Sequence, residues 1–157
     1  MGMKTKSLIR KWVKVLTGIV SSLLCGFTLQ AATVIDHNCT NIEAIPEAAI
    51  VQAKSSLHIA YGHTSHGSQL ADGMSALVAF MNGKGHTANL YDWNHGGTGG
   101  ALDLHDYAMG GDVGYYPDWL NNTVSYLGPV NPSTGRGTTN PDVNVIVWSW
   151  CGQAAWY

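Results

Sequence analysis

The segment Val143-Asn-Val-Ile-Val-Trp-Ser149 constrains this chain more than any other. It is β-branched, uncharged and almost continuously apolar. A run of that kind suits a strand covered on both faces, which is the environment of a parallel sheet. Such a sheet needs helices to cover it, and the sequence offers three. Residues 67–80 place Leu70, Met74, Leu77 and Val78 at helical spacing and run into Gly83 and Gly85. Residues 41–55 carry Ile45, Ala49 and Ala53 four apart, with Pro46 tolerable in a first turn. Residues 117–127 have Trp119, Leu120, Val124 and Leu127 as their apolar members. Two further strands are expected, a short one at 57–61 and another at 88–93. The glycine-dense residues 95–111 read as a loop. Residues 129–141, with Pro129, Pro132, Gly135, Gly137 and Pro141, read as a surface excursion. Strand, helix, strand, loop, helix, strand is the order of an α/β fold with a parallel sheet and right-handed crossovers.

Charge is unevenly distributed along the 157 residues. The formal net charge is −2, but Lys4, Lys6, Arg10, Lys11 and Lys14 all lie in the first 14 positions, where no acid occurs. The remainder has Lys54, Lys84 and Arg136 against ten acids, a net of −7. A nucleic-acid partner is therefore not expected, since such binding draws on Lys and Arg contacts to phosphate. The cationic stretch precedes an apolar run from Val15 to Phe27 and the small residue Ala31. This is the pattern of a secretory signal over 1–31, cleaved near Ala31. The apolar run is 13 residues long, short of the roughly 20 needed to cross a bilayer. The mature chain, 32–157, is expected to be secreted or periplasmic, with no stable membrane span. Cleavage removes Cys25 and leaves Cys39 and Cys151, which could pair in an oxidising compartment or remain separate small residues.

The chemistry-bearing residues cluster around Tyr61-Gly-His-Thr-Ser-His-Gly-Ser-Gln69, which joins the first strand to a helix. In an open α/β sheet ligands bind at the carboxyl ends of strands, where a helix start offers free N–H groups. A hydroxyl there can attack a carbonyl while those groups hold the oxyanion. Ser65 and Ser68 are the candidates, and a plain helix cap by Thr64 or Ser65 is the alternative. His63 and His66 flank Ser65 as possible bases. Seven histidines raise a metal reading, but HExxH and CxxC spacings are missing, and no cofactor is expected. His58 reads as a hydrogen-bonded structural residue. Glycines 96 to 100 could set backbone N–H groups around an anion. Asp103, Asp106 and Asp112 could offer oxygens to calcium, though not at EF-hand spacing. Trp148 and Trp150 face opposite sides of the last strand, one suited to the core and one to a ligand.

Gly62-His-Thr-Ser-His-Gly67 after a strand, a glycine loop after a second and Trp148-Ser-Trp-Cys-Gly-Gln153 after a third resemble a divergent SGNH (GDSL-type) hydrolase. The likeness is to a secreted bacterial group of that superfamily and extends over residues 57–153. It implies a three-layer α/β/α sandwich and metal-free cleavage of esters, often on acylated carbohydrates or lipids. The partner it implies is a small-molecule or glycan substrate. Ser65 matches the nucleophile, a glycine of the loop (Gly97 or Gly100) matches an oxyanion donor, and Gln153 stands where the family has Asn. Gly62-His63-Thr64-Ser65 is one residue longer than the family's Gly-Asp-Ser. No Asp or His follows Ser149, so the family's Asp-x-x-His base block is missing. The expectation is a chain truncated after its third strand, incomplete or inactive as it stands. The other readings are a non-catalytic carbohydrate-binding domain that uses Trp93, Trp119 or Trp150, and a His-based metal protein.

Overall fold

The computed structural model describes residues 36–150. The signal at 1–31, Cys25, Cys151 and Gln153 lie outside them. Residues 36–40 belong to one compact unit and those from Asn41 onward to another. In the first, Asp36 accepts from the N–H groups of Asn38 and Cys39.

The second unit is α/β, as the element order implies. Helix α1 spans Glu47–Ser56, α2 Ser68–Gly83 and α3 Asp118–Leu127. Strands β1 (His58–Gly62), β2 (Trp93–Asn94), β3 (Leu102–Met109) and β4 (Val145–Trp148) form one parallel sheet in the order β2-β3-β1-β4. The described sheet therefore has four strands where three were expected. The extra one, β3, lies within the stretch read as a loop. Its polar residues disguised it: Asp103, His105 and Asp106 sit among Leu102, Leu104 and Met109. Each polar side chain has a partner, which removes the penalty of placing it in a sheet.

The expected strand at 88–93 is reduced to Trp93–Asn94. Asn89 takes a left-handed backbone (φ 62), which breaks the extended run. With β2 so short, the chain can return to the start of β3 through residues 95–101 alone. Parallel neighbours normally need a crossover of a dozen residues or more. Gly96, Gly97, Gly99 and Gly100 all have positive φ in this return, a conformation that costs glycine little.

β1 is central and its second half is buried. Ala60 and Tyr61 form the core with Leu104 and Met109 of β3, Ala71 and Met81 of α2, and Leu90 and Ala101. Full burial of a side chain the size of Met81 contributes about 1.5–3 kcal/mol. The inward stripe of α2 is Ala71, Met74, Val78 and Met81, while Leu70 is 46% exposed. On α3 the stripe is Trp119, Thr123 and Tyr126. Thr123 Oγ1 accepts from the Trp148 indole at 2.9 Å, Trp119 packs edge-on to Trp148, and the Tyr126 hydroxyl meets His105 Nδ1 at 3.0 Å. Leu120 and Val124 face outward. Among the described residues no helix is long and apolar enough to cross a membrane.

Chain order reverses at β1. After β1 the chain passes through α2 to β3 on one side, then through α3 to β4 on the other. The crevice at such a reversal, beyond the carboxyl ends of β1 and β4, is where α/β sheets bind ligands.

Candidate active site at the end of the central strand

Gly62 ends β1, Thr64 continues extended (φ −135, ψ 171), and Ser65 then turns with φ 40 into a single 3-10 turn, Ser65–Gly67, that leads into α2. A non-glycine residue at positive φ is strained, typically by about 1–3 kcal/mol, and such residues gather at functional sites. The Ser65 side chain is exposed, and no hydrogen-bond partner meets its hydroxyl. Ser65 does not cap the helix through its side chain, and neither does Thr64. The serine is held in a costly conformation with its hydroxyl free.

Its surroundings keep it there. Tyr61 donates its hydroxyl to the Gly67 carbonyl (2.9 Å), and Ser68 donates to the Ser65 carbonyl (2.9 Å). Thr64 Oγ1 donates to Asp112 Oδ2 at 3.3 Å, and the other Asp112 oxygen accepts from the Gly114 N–H at 2.6 Å. Asp112 is 2% exposed, so these bonds are what make its burial tolerable. The Ser149 N–H, just past β4, donates to the Gly62 carbonyl at 3.2 Å. A side chain at Gly67 would collide with both His63 and the Ser149 hydroxyl, so the turn closes only on glycine here.

His63 is fully buried between Tyr61 (ring centroids 4.4 Å) and Tyr107 (4.0 Å). Its Nε2 lies 2.7 Å from Asp106 Oδ1, and its Nδ1 is buried with no partner. A register shift between β1 and β3 makes this pairing possible. Ala60 pairs with His105 but Gly62 with Met109, so β3 carries extra residues there, and Tyr107 takes φ 54. Bulges of this kind re-aim side chains beside active sites. Here the bulge brings Asp106 and Tyr107 to His63. His66 follows Ser65 on the exposed turn.

The structure does not bring the glycine loop to Ser65. The Gly96 N–H donates to Asp103 Oδ1 (2.7 Å), and Gly97 sits against Asp103 and Ala101. Asp103 pairs with His58, the first residue of β1, whereas Ser65 follows the last. Four strand residues separate those ends, about 13 Å. The Gly97 and Thr98 N–H groups are taken by the carbonyl and side chain of Asn94. Gly97 and Gly100 line a hollow beside α1 with Val51, Lys54 and Ser55.

A second polar cluster occupies that far end. His58 Nδ1 meets Asp103 Oδ2 at 2.7 Å, the structural role expected of His58. His95 and His105 stack at 3.8 Å beside a cavity of about 290 Å³ lined in part by Tyr126, Asn140 and Asp142. Burial, then the charge of His95, lowers the His105 pKa. Burial, then the nearby Asp103 charge, raises the Tyr126 hydroxyl. For Asp103 burial works upward, but hydrogen bonds from His58 and the Gly96 N–H outweigh it, and the carboxyl ends below its ordinary value. Asp103, Asp106 and Asp112 thus serve three different partners. Among the described residues no group of three His, Cys, Asp or Glu is placed to hold a metal ion.

The sequence pointed to Ser65 but not to Asp106, Tyr107, Asp112 or Ser149 around it. The alternation of Leu102, Leu104 and the residues between them was the one signal that could have revealed β3, and with it Asp106. Comparison with protein-family models, with curated proteins and with solved structures finds no match to this chain.

Proposed function

We propose that the chain is an exported serine hydrolase-like protein of SGNH type acting on ester bonds, with acylated carbohydrate as a candidate substrate and Ser65 as nucleophile. The observation that carries this reading is the backbone of Ser65. It is strained and exposed, with a free hydroxyl, on a strand-to-helix turn at the carboxyl end of the central strand. A nucleophile presented in this way is reachable by substrate while the backbone N–H groups of the following turn face the developing oxyanion. An acidic chain with few cations fits a neutral ester better than an anionic one.

A fluorophosphonate probe tests the reading. Mass spectrometry of the labelled full chain is expected to place the adduct on Ser65, and Ser65→Ala is expected to abolish both labelling and turnover of p-nitrophenyl acetate. Hydrolysis that survives Ser65→Ala overturns it. A non-catalytic carbohydrate-binding domain is the second reading. It is favoured by Trp150, which is 69% exposed next to Ser149, whereas Trp93 and Trp119 are half-buried. Glycan binding unchanged in Ser65→Ala and lost in Trp150→Ala, without hydrolysis, would support that alternative.

A further inference from the structure

We infer that Asp106 and His63 form the base assembly for Ser65, with His63 Nδ1 as the proton acceptor and Asp106 as the positioning carboxylate. The inference rests on the reading of Ser65 as nucleophile.

Three observations converge. First, the Nε2–Asp106 contact of 2.7 Å puts the imidazole proton on Nε2, because a carboxylate only accepts. Nδ1 is left as a lone pair. Second, that lone pair is buried and unpartnered. An unsatisfied buried acceptor costs about 1–3 kcal/mol, and an Asp–His pair lacking its third member is the arrangement that nucleophilic catalysis uses. Third, the backbone is extended through Thr64. Side chains two apart on extended backbone share a face, so His63 and Ser65 lie on one face and Thr64 on the other, where it binds Asp112. The Ser65 hydroxyl, also unpartnered, is the proton source on that face. Catalytic hydrogen bonds often close only when substrate arrives.

The step balances without a co-reactant beyond water. Ser65 Oγ bonds to the ester carbonyl carbon as its proton passes to His63 Nδ1. The imidazolium that forms is held by Asp106. Collapse of the tetrahedral intermediate breaks the bond to the leaving alkoxide, which takes the proton from Nδ1. Water then attacks the acyl-serine by the same route in reverse, releasing the carboxylic acid and restoring Ser65. The rings of Tyr61 and Tyr107 fix the imidazole plane throughout.

The test compares Asp106→Asn and His63→Ala in the full chain, by p-nitrophenyl acetate turnover and by the rate of fluorophosphonate labelling at Ser65. Asp106→Asn preserves shape at a site 26% exposed and is expected to slow both rates by about 10²-fold or more with an unchanged circular dichroism spectrum. His63→Ala is expected to lose activity and to regain part of it when imidazole is added, which a purely structural role would not produce. If His63→Ala does not fold, Asp106→Asn decides. Labelling of Ser65 within twofold of the parent rate in Asp106→Asn overturns the base assignment and leaves the nucleophile standing. Absence of Ser65 labelling in the parent chain overturns both.

Discussion

The Tyr61 hydroxyl donates a 2.9 Å hydrogen bond to the Gly67 carbonyl, so a buried residue of β1 clamps the far side of the turn that presents Ser65. The bond spans six residues and closes the strand-to-helix connection from within the core. Tyr61→Phe keeps the ring and its stacking on His63 but leaves the carbonyl without this donor. The expected loss is about 1–2 kcal/mol of stability, read as a lower urea midpoint with an unchanged slope. A midpoint equal to the parent's would show that the clamp contributes nothing.

The strain at Ser65 can be measured by comparing two substitutions that both remove the hydroxyl. Alanine retains the steric cost of φ 40, and glycine does not. Ser65→Gly is expected to be more stable than Ser65→Ala by about 1 kcal/mol, and both are expected to be inactive. Equal unfolding free energies for the pair would mean that the turn relaxes and stores no strain.

Gly67 faces the opposite constraint, one of space. Its position touches His63 on one side and the Ser149 hydroxyl on the other. Gly67→Ala is expected to cost about 1–3 kcal/mol by overpacking and to slow Ser65 labelling, because the turn must shift to admit the methyl group. Thermal unfolding together with the labelling rate checks both effects. A fully active, fully stable Gly67→Ala would refute the packing described for the turn.

His105 makes stability depend on pH. Its folded-state pKa lies below the ordinary value of 6.5, chiefly because burial disfavours the imidazolium, with His95 adding to it. The unfolded chain therefore binds more protons in the window below 6.5, and stability rises with pH there. The contribution is complete above about 6.5 and fades as pH falls toward the depressed value. Asp103, also lowered, acts in a separate window below 3.8, where acid removes its contribution. Urea midpoints between pH 5 and 7.5 are expected to slope upward in the parent and less steeply in His105→Gln. Parallel slopes would exclude His105 as the source.

Much of the fold was legible because the residues that carry it are locally consistent. The β-branched run at 145–148, the helices at 68–83 and 118–127, and the turn between β1 and α2 stand where periodicity and glycine placement put them. The misses have a common cause, which is polar side chains whose partners are distant in sequence. Asp103 and Asp106 looked like loop residues because nothing nearby in the chain satisfies them. His58 and His63, more than 40 residues earlier, do so. The glycine loop was expected beside Ser65 because both follow strands, but a two-residue β2 ends level with the start of β1.

The sequence by itself determined the α/β class, the export-type leader pattern, the acidic and cation-poor remainder and the position of Ser65 after the first strand, since these depend on composition and on neighbours a few residues apart. Tertiary structure alone decided that β1 lies between β3 and β4 and that a register shift turns Asp106 toward His63. It also decided that Asp112 and Ser149 close around the turn and that the glycine loop serves the opposite end of the sheet. Those outcomes follow from strand order and register. These are set by how distant segments pair and bury one another, and no local pattern encodes them.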